Sequence, residues 1–367
     1  MKRINVLRAL IVPALLFLSG SNTLAAVDDD AAVVHLRQSC TENGATMDNC
    51  FEDISTLDNW TWNTRFPSPT QPLTIQIGPG TFTGSFTCNG SGFVTISGSG
   101  IGNTIVQNAF LPVSTTQCVN LVYSDLTLKN TGNLFGVKNF GGSTTWNNVE
   151  IIGLGYAWFD SPGGCSGPPG SHYWFNSKII AQTTAGFSTT AYFNACDESW
   201  FFGSEITARG SVGASTPIRA VGGEVHVYGS VIRAVPEDGA TMNEITAVTA
   251  MNTAEIHIHG TGIDVISTGP NDITALKVSG GGHIHANESS YVLKTGSGGS
   301  ITRVANSGGH VSAPFQWQTS GLPPAINSIT GFDTVVYTNT VDGHPHMAIY
   351  DSSCASNWYD ISTNSCQ

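Results

Sequence analysis

Four segments of the chain align on one another without gaps: Trp174-Phe-Asn-Ser-Lys-Ile-Ile-Ala181, Phe201-Phe-Gly-Ser-Glu-Ile-Thr-Ala208, Val227-Tyr-Gly-Ser-Val-Ile-Arg-Ala234 and Ile258-His-Gly-Thr-Gly-Ile-Asp-Val265. An earlier copy starts at Trp146 and a weaker later one at Ala286, so successive copies stand 26 to 31 residues apart. A period of that length marks a stacked repeat, in which each unit buries its apolar face against its neighbours. Asn148, Asn176, Gly203, Gly229 and Gly260 share one column, and Asn and Gly are the residues that best tolerate φ > 0. The next column holds Ser177, Ser204, Ser230, Thr261 and Ser289, short hydroxyls suited to satisfying turn backbone groups. Two positions on come Ile151, Ile179, Ile206, Ile232, Ile263 and Tyr291, and two further come Ala181, Ala208, Ala234, Val265 and Leu293. Apolar residues two apart form the inward face of a strand. The pairs Ile218/Ala220, Ile245/Ala247 and Ile273/Ala275 repeat that alternation in a second strand.

Short strands joined by Asn/Gly turns at this period predict an all-β chain, a right-handed parallel β-helix whose coils pair with the coil above and below. Leucine-rich repeats have a similar length, but their leucine pattern is missing. A β-sandwich, the main rival, leaves the Asn/Gly column unexplained. Only 11% of residues are charged and 42 are glycine, which suits a turn-rich β protein. The elongated repeat lets one domain exceed the usual size of a single core. Residues 26–72, with a short helix inside Ser39 to Trp62, are expected to cap the start, 73–330 to form the coils and 331–367 to close the end. Caps are needed because open coil ends expose strand edges.

Residues 1–25 have a basic start (Lys2, Arg3, Arg8), an apolar run from Ala9 to Leu18 and a polar, small-residue exit. This is the pattern of a secretory signal peptide cleaved after Ala25, and it predicts a secreted or periplasmic protein. The apolar run is too short for a transmembrane anchor. All eight cysteines survive the cleavage into an oxidising compartment. Connectivity does not follow from sequence, but Cys40/Cys50 and Cys354/Cys366 are near in the chain. Cys88/Cys118 and Cys165/Cys196 stand about one repeat apart. Loss of Lys2, Arg3 and Arg8 takes the formal charge from −12 to −15. Such a surface repels nucleic acid, and anionic polysaccharide as well unless a cation or a local basic patch intervenes.

The stretch Ile75-Gln-Ile-Gly-Pro-Gly-Thr-Phe82, followed by Val94-Thr-Ile-Ser-Gly-Ser-Gly-Ile-Gly-Asn-Thr-Ile-Val106, resembles the opening of pectin methylesterases, members of the pectin-lyase-like β-helices. Asp125-Leu-Thr-Leu-Lys-Asn-Thr131, Glu150 to Tyr156 and Trp174 to Arg209 continue the likeness. The resemblance implies a site on the outer face of one sheet, with an aspartate nucleophile, an aspartate acid/base and a glutamine for the oxyanion. Here Ala157 and Trp158 stand where glutamine and aspartate belong, and Thr190 stands at the nucleophile position. Tryptophan and threonine cannot do carboxylate chemistry, so the expectation is a scaffold without the catalytic acids; only Asp160 lies near enough to stand in for one. Trp158, Asp160, Thr190, Tyr192 and Arg219 are the residues expected to line a remaining ligand cleft, with Tyr192 beside Arg219.

Two outward columns stand out in the repeat: Tyr173, Trp200, His226, His257, His285 and Phe175, Phe202, Tyr228, His259, Asn287. An exposed aromatic stripe of that extent marks either a binding surface or a packed ladder. No cofactor is expected, although His226, His257 and His285 are within reach of one divalent ion; for Ca²⁺ the adjacent acids Asp197-Glu198 and Glu237-Asp238 read as turn residues. Three functions remain open: a non-catalytic protein that recognises a polysaccharide or surface glycan, an active carbohydrate enzyme (lyase, hydrolase or esterase) with an unfamiliar site, or a structural adhesion or virulence factor that binds protein.

Overall fold

The computed structural model describes residues 27–366 apart from 43–44, 87–91, 108–117, 131, 133–134, 140–141, 161–169, 184–187, 238–239, 288, 313–315, 319–334, 342–343, 351–357 and 361–364, with side chains as far as Val311. The chain winds as a parallel β-helix. A full coil carries three strands, and each strand pairs in parallel with its equivalent one coil on. The first face runs through Ser171–Phe175, Glu198–Phe202, Glu224–Tyr228, Glu255–His259 and His283–Asn287. The second runs through Lys178–Thr183, Glu205–Gly210, Val231–Ala234, Gly262–Ile266 and Ser290–Lys294. A separate seven-stranded sheet forms the third face, from Phe135–Asn139 through Tyr156–Asp160, Thr189–Asn194, Val212–Ala220, Thr241–Met251 and Ile273–Ser279 to Ile301–Ser307.

The register is the one the repeat dictates. Trp146, Trp174, Phe201, Val227, Ile258 and Ala286 pair in succession. The bend between the first two faces falls on the Asn/Gly column, where φ is 51° at Asn148, 49° at Asn176, 57° at Gly203, 53° at Gly229 and 55° at Gly260. Asp125, with φ 56°, is an additional member one coil earlier, and its Oδ1 accepts a 2.7 Å bond from Asn148 Nδ2. The hydroxyl column knits neighbouring coils together. Ser204 Oγ accepts from Ser177 N at 3.2 Å and donates to Phe202 O at 3.2 Å; Ser230 and Thr261 repeat the pattern. The backbone donors that precede these hydroxyls are thereby satisfied inside the protein.

Ile151, Ile179, Ile206, Ile232, Ile263 and Tyr291 are fully buried in one stack. Beside them Tyr123, Trp146, Trp174 and Phe201 stack at centroid spacings of 4.2, 4.9 and 5.5 Å. Trp158 and Tyr192 approach this column edge-on from the third face. The core of the described coils is therefore a continuous column rather than a sphere.

At the start, Asp53 caps the helix Ile54–Trp60 by accepting from Thr56 N, and Ile54, Leu57 and Trp60 turn inward to plug the first coils. The strand Val33–Leu36 already pairs in parallel with residues 74–77. The first rung thus lies inside the segment expected to be only a cap, because the alternation of Val34 and Leu36 buries both. Toward the end, Val335–Val341, His344–Tyr350, Trp358–Asp360 and Ser365–Cys366 form an antiparallel sheet of their own.

Cys40 and Cys50 are bridged as expected. The other three expected bridges, Cys88–Cys118, Cys165–Cys196 and Cys354–Cys366, each have one member, Cys88, Cys165 or Cys354, outside the described residues. Of their partners, Cys118 opens the strand Cys118–Lys129 and pairs in register with Gly142, Cys196 is disulfide-bonded and Cys366 ends the strand Ser365–Cys366. The leader 1–25 also lies outside the described residues. No helix among the described residues is long and apolar enough to cross a membrane.

Candidate functional site

The outer side of the first face carries the aromatic and histidine columns in the expected order. Tyr173, Trp200, His226, His257 and His285 follow one another at 4.8, 5.3, 4.8 and 5.0 Å between ring centroids, with interplanar angles of 4° to 13°. Phe175, Phe202, Tyr228 and His259 form the second column at 5.2, 5.3 and 5.1 Å; Asn287 ends it. Rings stacked along the coil axis cover one another's faces and show only their edges to solvent. A sugar stacks on a ring face, so the ladder offers such a face only at its head. There Tyr173 and Phe175 stand against the short side chains Thr145 and Asn147 and remain 38% and 36% exposed.

Beside the ladder runs a third outward column, Ser171, Glu198, Glu224, Glu255, His283 and His310. Its carboxylates reach across to the imidazoles. Glu224 Oε1 is 3.0 Å from His226 Nε2 and 3.3 Å from His257 Nε2, and Glu255 Oε1 is 3.1 Å from His257 Nε2 and 3.4 Å from His285 Nε2. Burial, opposed by Glu224 and reinforced by His257, holds His226 below the usual imidazole range. Glu198 is raised by desolvation and by the neighbouring Glu224.

The third face presents a different surface. Lys138, Phe159, Phe193, Arg219, Thr249 and Lys277 share one row across six coils. Phe135, Tyr156, Phe159 and Phe193 pack into one aromatic cluster, with Phe159 and Phe193 4.9 Å apart at 12°. A cation flanks each end of the cluster. Lys138 Nζ is 5.5 Å from the Phe135 ring centre and the Arg219 guanidinium carbon is 6.0 Å from that of Phe193. Lys277 is paired with Glu244 at 2.7 Å, whereas no carboxylate among the described residues lies within ion-pair distance of Arg219. Its Nη2 reaches only the sulfur of Met251, and its Nε is buried without a hydrogen bond.

This geometry corrects the expected cleft. Trp158 and Tyr192 are 1% and 0% exposed and belong to the core, so neither can touch a ligand on the outer face. The neighbour of Tyr192 is Ile218, and the neighbour of Arg219 is Phe193. Thr190 shares a row with Tyr156 and Thr216 but is itself buried, at 4% exposure, so it offers no open cleft surface either. Asp160 is buried as well, in a network that the sequence does not show. Its Oδ2 accepts from Ala195 N and Cys196 N at 2.9 and 3.1 Å, while Asp197 accepts from Gly170 N at 2.7 Å and faces His172 Nε2 at 3.0 Å. His172 Nδ1 meets the Thr144 hydroxyl at 2.8 Å, and that hydroxyl accepts from Trp146 Nε1. Desolvation, with the adjacent Asp197 charge, pushes the Asp160 carboxyl up to about 8. Burial also acts to raise Asp197, but the His172 contact and the Gly170 N–H outweigh it and hold Asp197 low. A neutral Asp160 thus sits beside an ionised Asp197 inside the core. Asp197 is therefore no surface turn residue; the signal available in the sequence is its position directly before the strand Glu198–Phe202.

No protein-family profile matches the sequence, and no curated protein matches it. Among solved structures the chain is similar to a pectate lyase, with 13% identity, 85% of this chain and 84% of that chain covered, and a TM-score of 0.43. It is also similar to the A-module of a mannuronan C-5 epimerase from Azotobacter vinelandii, at 13% identity, 69% and 92% coverage and a TM-score of 0.26. A Geobacillus virus E2 protein gives 10% identity, 88% and 69% coverage and a TM-score of 0.36. These likenesses concern the fold alone.

Proposed function

We propose that this chain is an exported, non-catalytic glycan-binding protein that recognises carboxylate-bearing sugars on its third face. The observation that carries the reading is Arg219, a guanidinium held over the Phe193 ring with no carboxylate at ion-pair distance and Glu244 acting on it only at longer range, in a protein of net charge −12. A guanidinium fork matches the two oxygens of a carboxylate, and the aromatic cluster supplies apolar contact for a sugar ring. Lys138 in the same row adds to the local positive charge that an acidic protein needs to hold an anionic chain, whereas Lys277 is taken up by Glu244. Export rests on the leader pattern of residues 1–25. The absence of turnover rests on the resemblance to pectin methylesterases, whose acid positions hold Trp158 and Thr190 here, and on the burial of Asp160 away from the outer face.

Calorimetry of the mature chain with uronate-containing and neutral oligosaccharides tests this. The charged ligands bind and the neutral ones bind more weakly. Arg219→Gln lowers affinity for the charged ligands by about tenfold or more, the loss of a charge-assisted hydrogen bond, and Tyr173→Ala leaves it unchanged. Equal affinities in wild type and Arg219→Gln, with folding intact, would remove the third face. Loss in Tyr173→Ala instead would move the site to the head of the first-face ladder. Release of a new reducing end, an unsaturated product or methanol during titration would overturn the non-catalytic reading.

A further inference from the structure

The first face carries a second chemistry that the glycan reading does not use. We propose that Glu224, His226 and His257 form a binding site for a first-row divalent transition-metal ion of the zinc type, with Glu255 available as a fourth ligand.

Three observations carry this. Each of the residues offers one ligand atom, and these atoms lie within 4.8 Å of one another. Zinc–nitrogen and zinc–oxygen bonds of about 2.0–2.2 Å set the edges of a tetrahedral site at about 3.3–3.5 Å. The observed edges are 3.0 Å from Glu224 to His226, 3.3 Å from Glu224 to His257 and 3.1 Å from His257 to Glu255. Within Glu224, His226 and His257 the pair of imidazoles, stacked 4.8 Å apart at 9°, must close further, by a tilt of the rings.

The second observation concerns His257. Its Nε2 is buried and makes no hydrogen bond, although carboxylate oxygens from two coils stand at 3.1 and 3.3 Å. A simple ion-pair lattice would aim the ring N–H at one of those oxygens. A nitrogen with two oxygens beside its axis rather than on it is placed for an ion between them.

The third is charge. Glu224 and Glu255 face one another across adjacent strands, so two like charges stand side by side and a cation between them relieves their repulsion. Imidazole nitrogens also decide the class of ion, because Ca²⁺ takes six to eight oxygens whereas zinc accepts mixed nitrogen and oxygen sets. With three protein ligands the site keeps a position for water, and Glu255 closes it.

The test uses tag-free, exported, chelator-stripped protein and zinc chloride alone, read by calorimetry and by thermal melting. Wild type takes up zinc saturably with a Kd of about 1 μM or below and melts at a higher temperature with the ion than without it. His257→Asn and Glu224→Gln each weaken zinc binding by about a hundredfold, and His259→Asn, in the neighbouring column, retains it. Calcium chloride at the same concentrations gives no heat. A second equivalent that survives in His257→Asn marks the set Glu255, His283 and His285 one coil on and leaves the first assignment standing. Folded wild type without saturable zinc binding up to about 1 mM, or wild-type affinity in folded His257→Asn and Glu224→Gln, overturns the proposal.

Discussion

Replacing Asp160 by asparagine isolates the proton held in the buried Asp160–Asp197–His172 network. In the folded chain Asp160 keeps its proton up to about pH 8, whereas in the unfolded chain an aspartate loses it near its ordinary value of about 4. Between those values the folded state binds one proton more than the unfolded state. Stability therefore falls as pH rises through the window, by about 1.4 kcal/mol per pH unit, and levels off above about pH 8. The amide of the Asp160→Asn variant has no proton to lose in that range. Its carbonyl oxygen can accept from Ala195 N and Cys196 N as Oδ2 does now, and its NH₂ can donate to Asp197. Asp197, whose carboxyl is held low, loses its contribution only as pH falls below the ordinary carboxylate range, outside the window. From pH 5 to pH 7 wild type thus loses about 3 kcal/mol that Asp160→Asn keeps. At about 2 °C per kcal/mol for a chain of this size, the gap between the two Tm values widens by about 6 °C. Thermal melts of both proteins at pH 5 and pH 7 measure it. A gap that stays constant across the two pH values refutes the claim that the core holds a neutral Asp160.

Asp197→Asn sets an amide against the donors from Gly170 and His172 and is expected to cost about 3–5 kcal/mol; a melt unchanged from wild type sinks that reading. Ile206→Asp puts an unpaired charge between Ile179 and Ile232 and costs several kcal/mol. Export and melting like wild type would show the interior register to be wrong. At Asn176, where φ is 49°, alanine costs about 1–2 kcal/mol while glycine is close to neutral; denaturant unfolding of the two variants compares them, and equal loss in both would assign the residue's role to its side chain.

The sequence displays the features that one residue type must satisfy in every coil. The Asn/Gly column is legible because few residues tolerate its φ, and the isoleucine column because its alternation is undisturbed. Asp125 is hidden because its spacing to Asn148 is shorter than the repeat, although its φ falls in the same range. Tyr192 reads as a surface residue for a physical reason. All six residues of Thr189–Asn194 are buried, so neither side of that strand reads as polar, and the register can slip by one position without breaking any pattern. The slip exchanges Tyr192 for Phe193 beside Arg219. The Asp160–Asp197–His172 contacts join residues from different coils, and no local spacing announces them.

The two outward surfaces differ in what stacking alone accounts for. Equivalent positions on successive coils stand about 4.8 Å apart, close to ring-stacking distance, so a row of like aromatic residues stabilises itself wherever a solenoid places one. The Tyr173 to His285 ladder follows that rule along most of its length, and its near-parallel rings need no ligand to explain them. The Lys138, Phe159, Phe193, Arg219, Thr249, Lys277 row does not follow it. Its members differ in charge and shape beyond the stacked pair Phe159 and Phe193, Arg219 feels Glu244 only beyond ion-pair distance, and its buried Nε gains no hydrogen bond. A guanidinium left in that state costs free energy that packing on Phe193 offsets only in part. A carboxylate arriving from outside would supply the close charge contact that the guanidinium lacks, while its buried Nε stays out of reach. For that reason the third face, and not the more conspicuous aromatic ladder, is where an acidic sugar has the most to contribute.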